Sequence, residues 1–397
     1  MQILIINQYF PPDRSATAIL LGQLAEDLSK TYQVTVICGS PTYAPEQFTE
    51  KPTQLNIIRI PLIKLPRSNL FIRIFNYFIF VFGATFQALF RFAPSIVVCW
   101  TDPPIIGLIG ALLKLLNKSS FVFVSQDVYP EIAIAAKKMN NPISLRLLKF
   151  ASQTILKIAD AVVVVGRDME EILVAKGCLK KKLYIIQNWQ DLESLKPCTT
   201  KTFRQTHQIP EHTFVVMHSG NIGYSQDIKS LLKTAELTKN EKDILYLIVG
   251  DGSQKSKLVQ WVQYHQLSNV RILPYQPSSV LSESLSAADL HYVSLKPALT
   301  GYIVPSKIYG ILSVARPILA NVSLQSEIAY IVQKADCGIL SSSDPMILSK
   351  HIIEMSRSRD QLKKWGNSGR QWIETNGGRK KALQAYQSLL TSLMRPI

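Results

Sequence analysis

The stretch VPSKIYGILSVARPILA (304–320) sets Lys307 just after a Pro-Ser pair, at the head of an apolar helical run. Pro305 suits the first turn of a helix. Ser306 offers a hydroxyl and Lys307 a mobile ammonium, a pairing that can hold a phosphate. The alternative is a solvated lysine on a helix face. Upstream, HSGNIGYSQD (218–227) joins an apolar run to a helical one. Gly220 and Gly223 let the backbone approach a ligand, Asn221 and Gln226 supply polar side chains, and a helix start favours an anion. A plain strand-to-helix turn accounts for it equally well. LIVGDGSQKSKL (247–258) repeats the pattern around Asp251, but Lys255 stands where a dinucleotide fingerprint has its third glycine. A tight turn capped by Ser253 reads better there.

The first half carries its own candidates. NQYFPPDRSATA (7–18) offers Tyr9, Asp13, Arg14 and Ser15 in a loop stiffened by two prolines; as a capped helix start it needs no ligand. VSQDVYPE (124–131) leaves an apolar run with Gln126, Asp127 and Glu131. A carboxylate there is a candidate base or hydroxyl ligand, with a helix cap as the alternative. Asp102 in CWTDPPIIG (99–107) precedes two prolines and reads as a cap rather than a catalyst.

These loops need a scaffold. ILIIN, QVTVIC, NIIRI, SIVVCW, SFVFVS, AVVVV and LYIIQ are nearly continuous apolar runs, as strands buried on both faces should be. Helical patterns begin near Ser15, Leu70, Pro104, Pro142 and Arg167. The polar stretch 191–211, with Pro197 and Pro210, reads as a link. The alternation then restarts with FVVMHSG, ILYLIVG, VRIL, ADLHYVS, RPILA and CGIL. The expectation is an α/β chain of two doubly wound parallel-sheet domains, 1–190 and 212–377, facing a central cleft, with ligands beyond the carboxyl ends of the strands. A terminal helix, 378–393, is long enough to pack back on the first domain.

Composition narrows the partners. The 397 residues are 47% hydrophobic, which rules out a disordered chain and suits two cores. The net charge of +16 divides evenly between 1–190 and the rest, so overall charge selects no partner. From Lys51 to Trp100, however, Lys51, Arg59, Lys64, Arg67, Arg73 and Arg91 occur with no acid, on aromatic-rich sequence. That fits an anionic membrane surface better than nucleic acid, with a buried helix and loop as the equal alternative. MQILIIN is too short for a secretory leader, and the apolar 70–92 region is interrupted by Arg73, Asn76 and Gln87. Five scattered cysteines and six dispersed histidines indicate neither a disulfide framework nor a metal site. A cytoplasmic protein, peripheral at the inner face of the membrane, is expected.

In order and spacing, YFPPDRSATA, TDPP, QDVYPE, QNWQD, SGNIG…QDI, VGDGS, AADLHYVS and VPSKIYG…ARPILA resemble the family-4 retaining glycosyltransferases of the GT-B fold, across nearly the whole chain. The likeness is to the bacterial exopolysaccharide and O-antigen branch. It implies a nucleoside-diphosphate sugar held by the second domain and a lipid-linked or saccharide acceptor held by the first, without a metal or other cofactor. The implied donor residues are Gly220, Asn221, Gly223, Gln226, Asp251, Tyr275, Thr300, Gly301, Ser306, Lys307 and Glu327. Asp127 and Gln126 fall at the reacting sugar, and Tyr9, Asp13, Arg14, Ser15 and Glu131 on the acceptor side. The chain departs from the pattern at five positions. Asn221 and Gln226 replace an Arg and a Lys of the diphosphate loop. Gln126 replaces a His. The family's paired glutamates would fall at Tyr302 and Gly310. Lys307 thereby becomes the principal cation for a leaving diphosphate. Two other readings remain open: a non-catalytic partner subunit of the same fold, and a nucleotide-sugar 2-epimerase. An NAD-dependent oxidoreductase is disfavoured by the missing fingerprint.

Overall fold

The computed structural model describes residues 1–13, 15–41, 55–63, 70–137 and 139–394. Arg14, Lys51, Lys64 and Arg67 lie outside the described residues, and so does the side chain of Arg73. The chain forms two compact units. Unit 1 takes Met1–Asn188, Gly301–Ile303 and the C-terminal stretch from Lys380; unit 2 takes Trp189–Thr300 and Val304–Arg379.

Unit 1 is built on β1 (Gln2–Ile6), β2 (Gln33–Gly39), β3 (Asn56–Ile60), β4 (Ile96–Trp100), β5 (Ser120–Ser125), β6 (Ala161–Val164) and β7 (Leu183–Ile185). They pair in parallel in the order β3-β2-β1-β4-β5-β6-β7. The central strands β4, β5 and β6 are buried along their whole length, which is why they read as unbroken apolar runs. Helices α1 (Ala16–Ser29), α2 (Leu70–Arg91), α3 (Gly107–Asn117), α4 (Glu131–Ala135), α5 (Pro142–Ile158) and α6 (Arg167–Ala175) connect them. The strand order reverses between β1 and β4, so the crevice beyond their carboxyl ends is where a ligand is expected. The helix Gly378–Ser392 supplies buried Ala382, Tyr386, Leu389 and Leu390, and the Ser120 hydroxyl donates to the Leu393 carbonyl at 2.9 Å. The C-terminal stretch from Lys380 thus packs within unit 1.

α2 refines the membrane reading. Its Ile74–Arg91 window is long and apolar enough to cross a bilayer by length and composition, whereas the sequence suggests an interrupted run. One stripe of it is core: Asn76, Phe80, Ala84 and Ala88 are buried, and the Asn76 amide bonds both the N–H and the carbonyl of Ile63. This stripe anchors the helix to its own sheet.

Unit 2 contains β8 (Phe214–Ser219), β9 (Ile244–Val249), β10 (Val270–Leu273), β11 (Leu290–Ser294), β12 (Ile318–Asn321) and β13 (Gly338–Ser341), in the parallel order β10-β9-β8-β11-β12-β13. Its reversal falls between β8 and β11. The expected link 191–211 needs correction. Leu195, Phe203 and Ile209 are buried in the unit 2 core beside Val215 and Leu285, and the Arg204 guanidinium bonds Asp289 and the carbonyls of Pro210, Thr213 and Ala287. Three apolar residues in a polar stretch carry no periodicity, yet they place it within the domain rather than before it.

Candidate functional site

In unit 2 the loops after β8 and β9 are pressed together. Gly220 donates its N–H to the Val249 carbonyl at 2.9 Å, and Ile222 donates to Asp251 at 2.8 Å. Gly250, at φ 152°, has no room for a side chain: a Cβ there would lie 1.9 Å from the Gly220 carbonyl oxygen. The two glycines thus hold the β8 loop at the carboxyl edge of the sheet.

Lys307, the first residue of the helix Lys307–Ser313, lies over this loop. Its Nζ donates to Gln226 Oε1 at 2.9 Å and lies 3.3 Å from His218 Nε2. A Cβ on Gly220 would touch the lysine Cε at 3.3 Å. Among the described residues no carboxylate forms a salt bridge with Lys307. Burial without a counter-charge lowers its pKa to about 7. His218, fully buried at the end of β8, is held well below the usual histidine range by burial and then by Lys307. Burial thus disfavours the protonated form of both groups, which stand together at the carboxyl end of β8. Around it, Asp227 caps the helix Ile228–Leu237, its N–H donates to Ser294 Oγ, and Asn321 bridges Asp227 to the Tyr292 hydroxyl. The loop after β8 is thereby bonded to the ends of β11 and β12.

Other expected donor residues are distributed less tightly. Asn221 is exposed. The Asp251 carboxylate accepts from Gly252 N–H at 2.7 Å and faces Lys255, the geometry of a turn, and its carbonyl accepts from the Tyr275 hydroxyl at 3.4 Å. Ser306 precedes its helix without a side-chain cap bond. Thr300 belongs to unit 2, and its buried Oγ1 has no partner among the described residues. Glu327 is buried in the first turn of the helix Glu327–Lys334, after β12. Gly301 belongs to unit 1, where a Cβ would strike Ile172 at 2.8 Å.

Gly310 is explained by its direction. A Cβ at this position would meet Leu195 Cδ2 and Leu285 Cδ1, each at 3.6 Å, so the position faces the apolar core. Gly310→Ala is expected to stabilise the protein by about 0.5–1 kcal/mol by removing a helix-interior glycine. Gly310→Glu should instead lower the denaturation midpoint by burying an unpaired carboxylate. Chemical denaturation of both variants checks the pair; a Glu variant as stable as wild type would show that this position does not face the core.

In unit 1 the carboxyl ends of β1, β4 and β5 carry a polar cluster. Gln8 donates its N–H to the Asp102 carbonyl at 2.9 Å, and Gln126 donates its N–H to Thr101 Oγ1 at 2.8 Å while its Oε1 accepts from Asn188 at 2.9 Å. The buried Asn7 Oδ1, Gln8 Oε1 and Asn188 Oδ1 accept no hydrogen bond among the described residues, a pattern that calls for donors from water or a ligand. Asp127 lines a small pocket with Thr101, Tyr129, Leu148 and Ser152, and pairs in an antiparallel bridge with Ile303. Val128 also donates to the Tyr302 carbonyl, so Gly301–Ile303 is pinned to the Asp127 loop.

Asp102 corrects the sequence reading. α3 begins at Gly107 with no side-chain cap, and burial raises the Asp102 pKa to about 6. A carboxyl two residues beyond a wholly apolar strand is the signal that points to it. Ser15 is a cap, accepting from Ala18 N–H, and Asp13 is buried while Tyr9 is half-buried in the same loop. Glu131 ion-pairs with Lys176 at 2.5 Å, which commits its carboxylate to the fold. Asn7, Gln8, Asn188 and His218 also belong to these clusters; the sequence reading assigns none of them a role, although all four stand in motifs quoted above.

Comparison with known proteins supplies the chemistry. Residues 18–194 match the family described as Glycosyltransferase Family 4, and residues 199–372 match Glycosyl transferases group 1. The chain is 27% identical over 342 residues to a probable glycosyltransferase WbjE of Pseudomonas aeruginosa, covering 83% of this chain and 84% of that one. It is 22% identical over 358 residues to a putative colanic acid biosynthesis glycosyl transferase WcaI of Escherichia coli K12, covering 84% and 86%. In fold it resembles Anabaena Alr3699/HepE, solved with UDP-glucose, at a TM-score of 0.74 and 14% identity, covering 99% of this chain and 100% of that one.

Proposed function

The chain belongs to the family-4 glycosyltransferases, with the GT-B fold, and on that premise we propose that it moves a sugar from a nucleoside-diphosphate sugar to a lipid-linked saccharide in the building of a cell-surface polysaccharide, with retention of configuration. The observation that carries the donor half is the Lys307–His218–Gln226 cluster over Gly220. A leaving nucleoside diphosphate gains negative charge, and its stabilisation is the main electrostatic demand of the step. Lys307 meets that demand where the family pattern's Arg and Lys are replaced by Asn221 and Gln226. Burial and then Lys307 hold His218 well below the usual histidine range, which limits a second positive charge beside the lysine. UDP-glucose in the Anabaena neighbour supports a nucleotide sugar as donor. The polysaccharide setting rests on the colanic acid relative. In unit 1, Asp127 and Gln126 are assigned to the reacting sugar, and the orphaned oxygens of Asn7, Gln8 and Asn188 suit a hydroxyl-rich acceptor.

Thermal-shift titration with UDP, GDP, TDP and ADP tests the donor half, because a ligand that binds only the folded state raises its melting temperature. One of the four is expected to stabilise the protein, by about 2–3 kcal/mol at a hundredfold excess over Kd. No shift with any of them would sink the donor reading. A shift without sugar transfer or donor hydrolysis, across the matching nucleotide sugars, would favour the non-catalytic subunit.

A further inference from the structure

α2 is apolar on the side that its own unit does not cover. Opposite the buried stripe of Asn76, Phe80, Ala84 and Ala88, the residues Phe78, Phe82, Phe86 and Phe90 recur every fourth position and stand in solvent, Phe82 78% and Phe90 74% exposed. Phe75 continues the stripe at 54% exposure. α3 packs against α2 and also against α5, and the apolar surface runs on across them. Leu115 and Leu116 are exposed at the end of α3, and Ile143, Leu147 and Phe150 along α5. Isolated exposed apolar residues are ordinary, but a contiguous surface of this kind marks an interaction site.

Charge decides the partner. None of the three helices contains an Asp or Glu, while they carry Arg73, Arg91, Lys114, Arg146, Lys149 and Lys157. Lys114 is paired with Asp160, whereas Arg91, Arg146, Lys149 and Lys157 are exposed. Two copies of such a surface meeting face to face would repel. A sheet of lipid headgroups with negative charge attracts the lysines and arginines and accepts the phenylalanines below them. The buried stripe of α2 argues against a span, since withdrawing the helix would expose that part of the core.

We infer that the outer face of α2, α3 and α5 is a monotopic docking surface for an anionic lipid bilayer, with the Phe78–Phe82–Phe86–Phe90 stripe seated at the acyl boundary and Arg91, Arg146 and Lys149 at the headgroups. α5 connects this face to the site: its outer side bears Ile143, Leu147 and Phe150, and its inner side turns Leu148, Ser152 and Ile155 into the pocket that Asp127 lines. The inference deepens the lipid-linked-acceptor reading and rests on it for its purpose, though the surface stands on its own observations.

Flotation of the full chain with vesicles tests it. Wild type is expected to float with phosphatidylcholine vesicles containing phosphatidylglycerol and not with phosphatidylcholine alone. Phe78→Ser/Phe82→Ser/Phe86→Ser should abolish flotation, and Arg146→Glu/Lys149→Glu should weaken partitioning by about tenfold or more. Both variants should keep the wild-type melting temperature and nucleotide shift, which shows that the loss is not unfolding. The inference is overturned if wild type ignores anionic vesicles, or if both variants float as wild type does. It is also overturned if sedimentation shows a wild-type dimer that the triple variant breaks, which would give the face to a second copy. A missing nucleotide shift with normal flotation would strike the transfer reading and leave the docking surface standing.

Discussion

Lys307→Met is expected to make the protein more stable and almost blind to nucleoside diphosphates. The two effects have one cause. The ammonium is buried against His218 and Gln226 with no paired carboxylate among the described residues, and its pKa falls to about 7. An apolar chain of similar volume removes that penalty. Replacing a buried charge with a well-packed apolar group commonly gains about 1–3 kcal/mol, and for a unit of this size each kcal/mol raises Tm by about 2–4 °C. The same change removes a charge-assisted hydrogen bond to phosphate, weakening nucleotide binding by about 10- to 100-fold. Differential scanning calorimetry and nucleotide titration on one preparation read both. A variant that is destabilised while retaining wild-type affinity would show that Lys307 is structural.

The pH dependence follows from the same group and has a definite sign. The unfolded chain holds this proton up to about 10.5, and the folded chain releases it near 7. Between these values the unfolded state binds more protons, so this lysine's contribution to stability improves as pH rises from 7 to 10.5. Below 7 both states carry the proton and the cost of burial is fully present. Nucleotide affinity moves oppositely. A bound diphosphate needs the ammonium, so binding takes up a proton and affinity should fall by about tenfold between pH 7 and 8.5. The Met variant should lose both slopes.

The scaffold was legible because strands buried on both faces leave an unmistakable mark. The thirteen strands among the described residues each coincide with an apolar run, and NIIRI, SFVFVS and VRIL match their strands to the residue. The site was legible only in part. Lys307 and the β8 loop could be named, but the contact of Lys307 with His218 joins residues 89 positions apart, which no local spacing encodes. Asp102 was passed over because a carboxylate before prolines is so often a cap, and only burial separates the two roles. The stretch 191–211 misled for a related reason. Its few apolar residues, Leu195, Phe203 and Ile209, acquire meaning only from the core they enter. Gly310 illustrates the converse. Its missing carboxylate looks like a lost function in the sequence, whereas its environment is two leucines.

Gly250→Ala should unseat the loop after β8 and leave the rest of the fold in place only at considerable cost. Two penalties coincide at this residue. The backbone sits at φ 152°, where a side chain is strained, and a Cβ would lie 1.9 Å from the Gly220 carbonyl oxygen. That neighbour is backbone, held by the bond from Gly220 N–H to Val249, so it cannot rotate away. The loops after β8 and β9 would have to separate, carrying Gly220 from beneath Lys307. A destabilisation of about 3 kcal/mol or more is expected, together with loss of the nucleotide shift. Gly177→Ala isolates the conformational part. Its φ is 93°, yet nothing lies within 4 Å of a Cβ there. Strain alone should cost about 1 kcal/mol at that position and leave nucleotide binding unchanged. Urea denaturation of the two variants, followed by titration at a temperature where each is folded, separates strain from collision. If Gly250→Ala costs no more than Gly177→Ala and still binds nucleotide, the close approach of the two loops does not shape the proposed donor site.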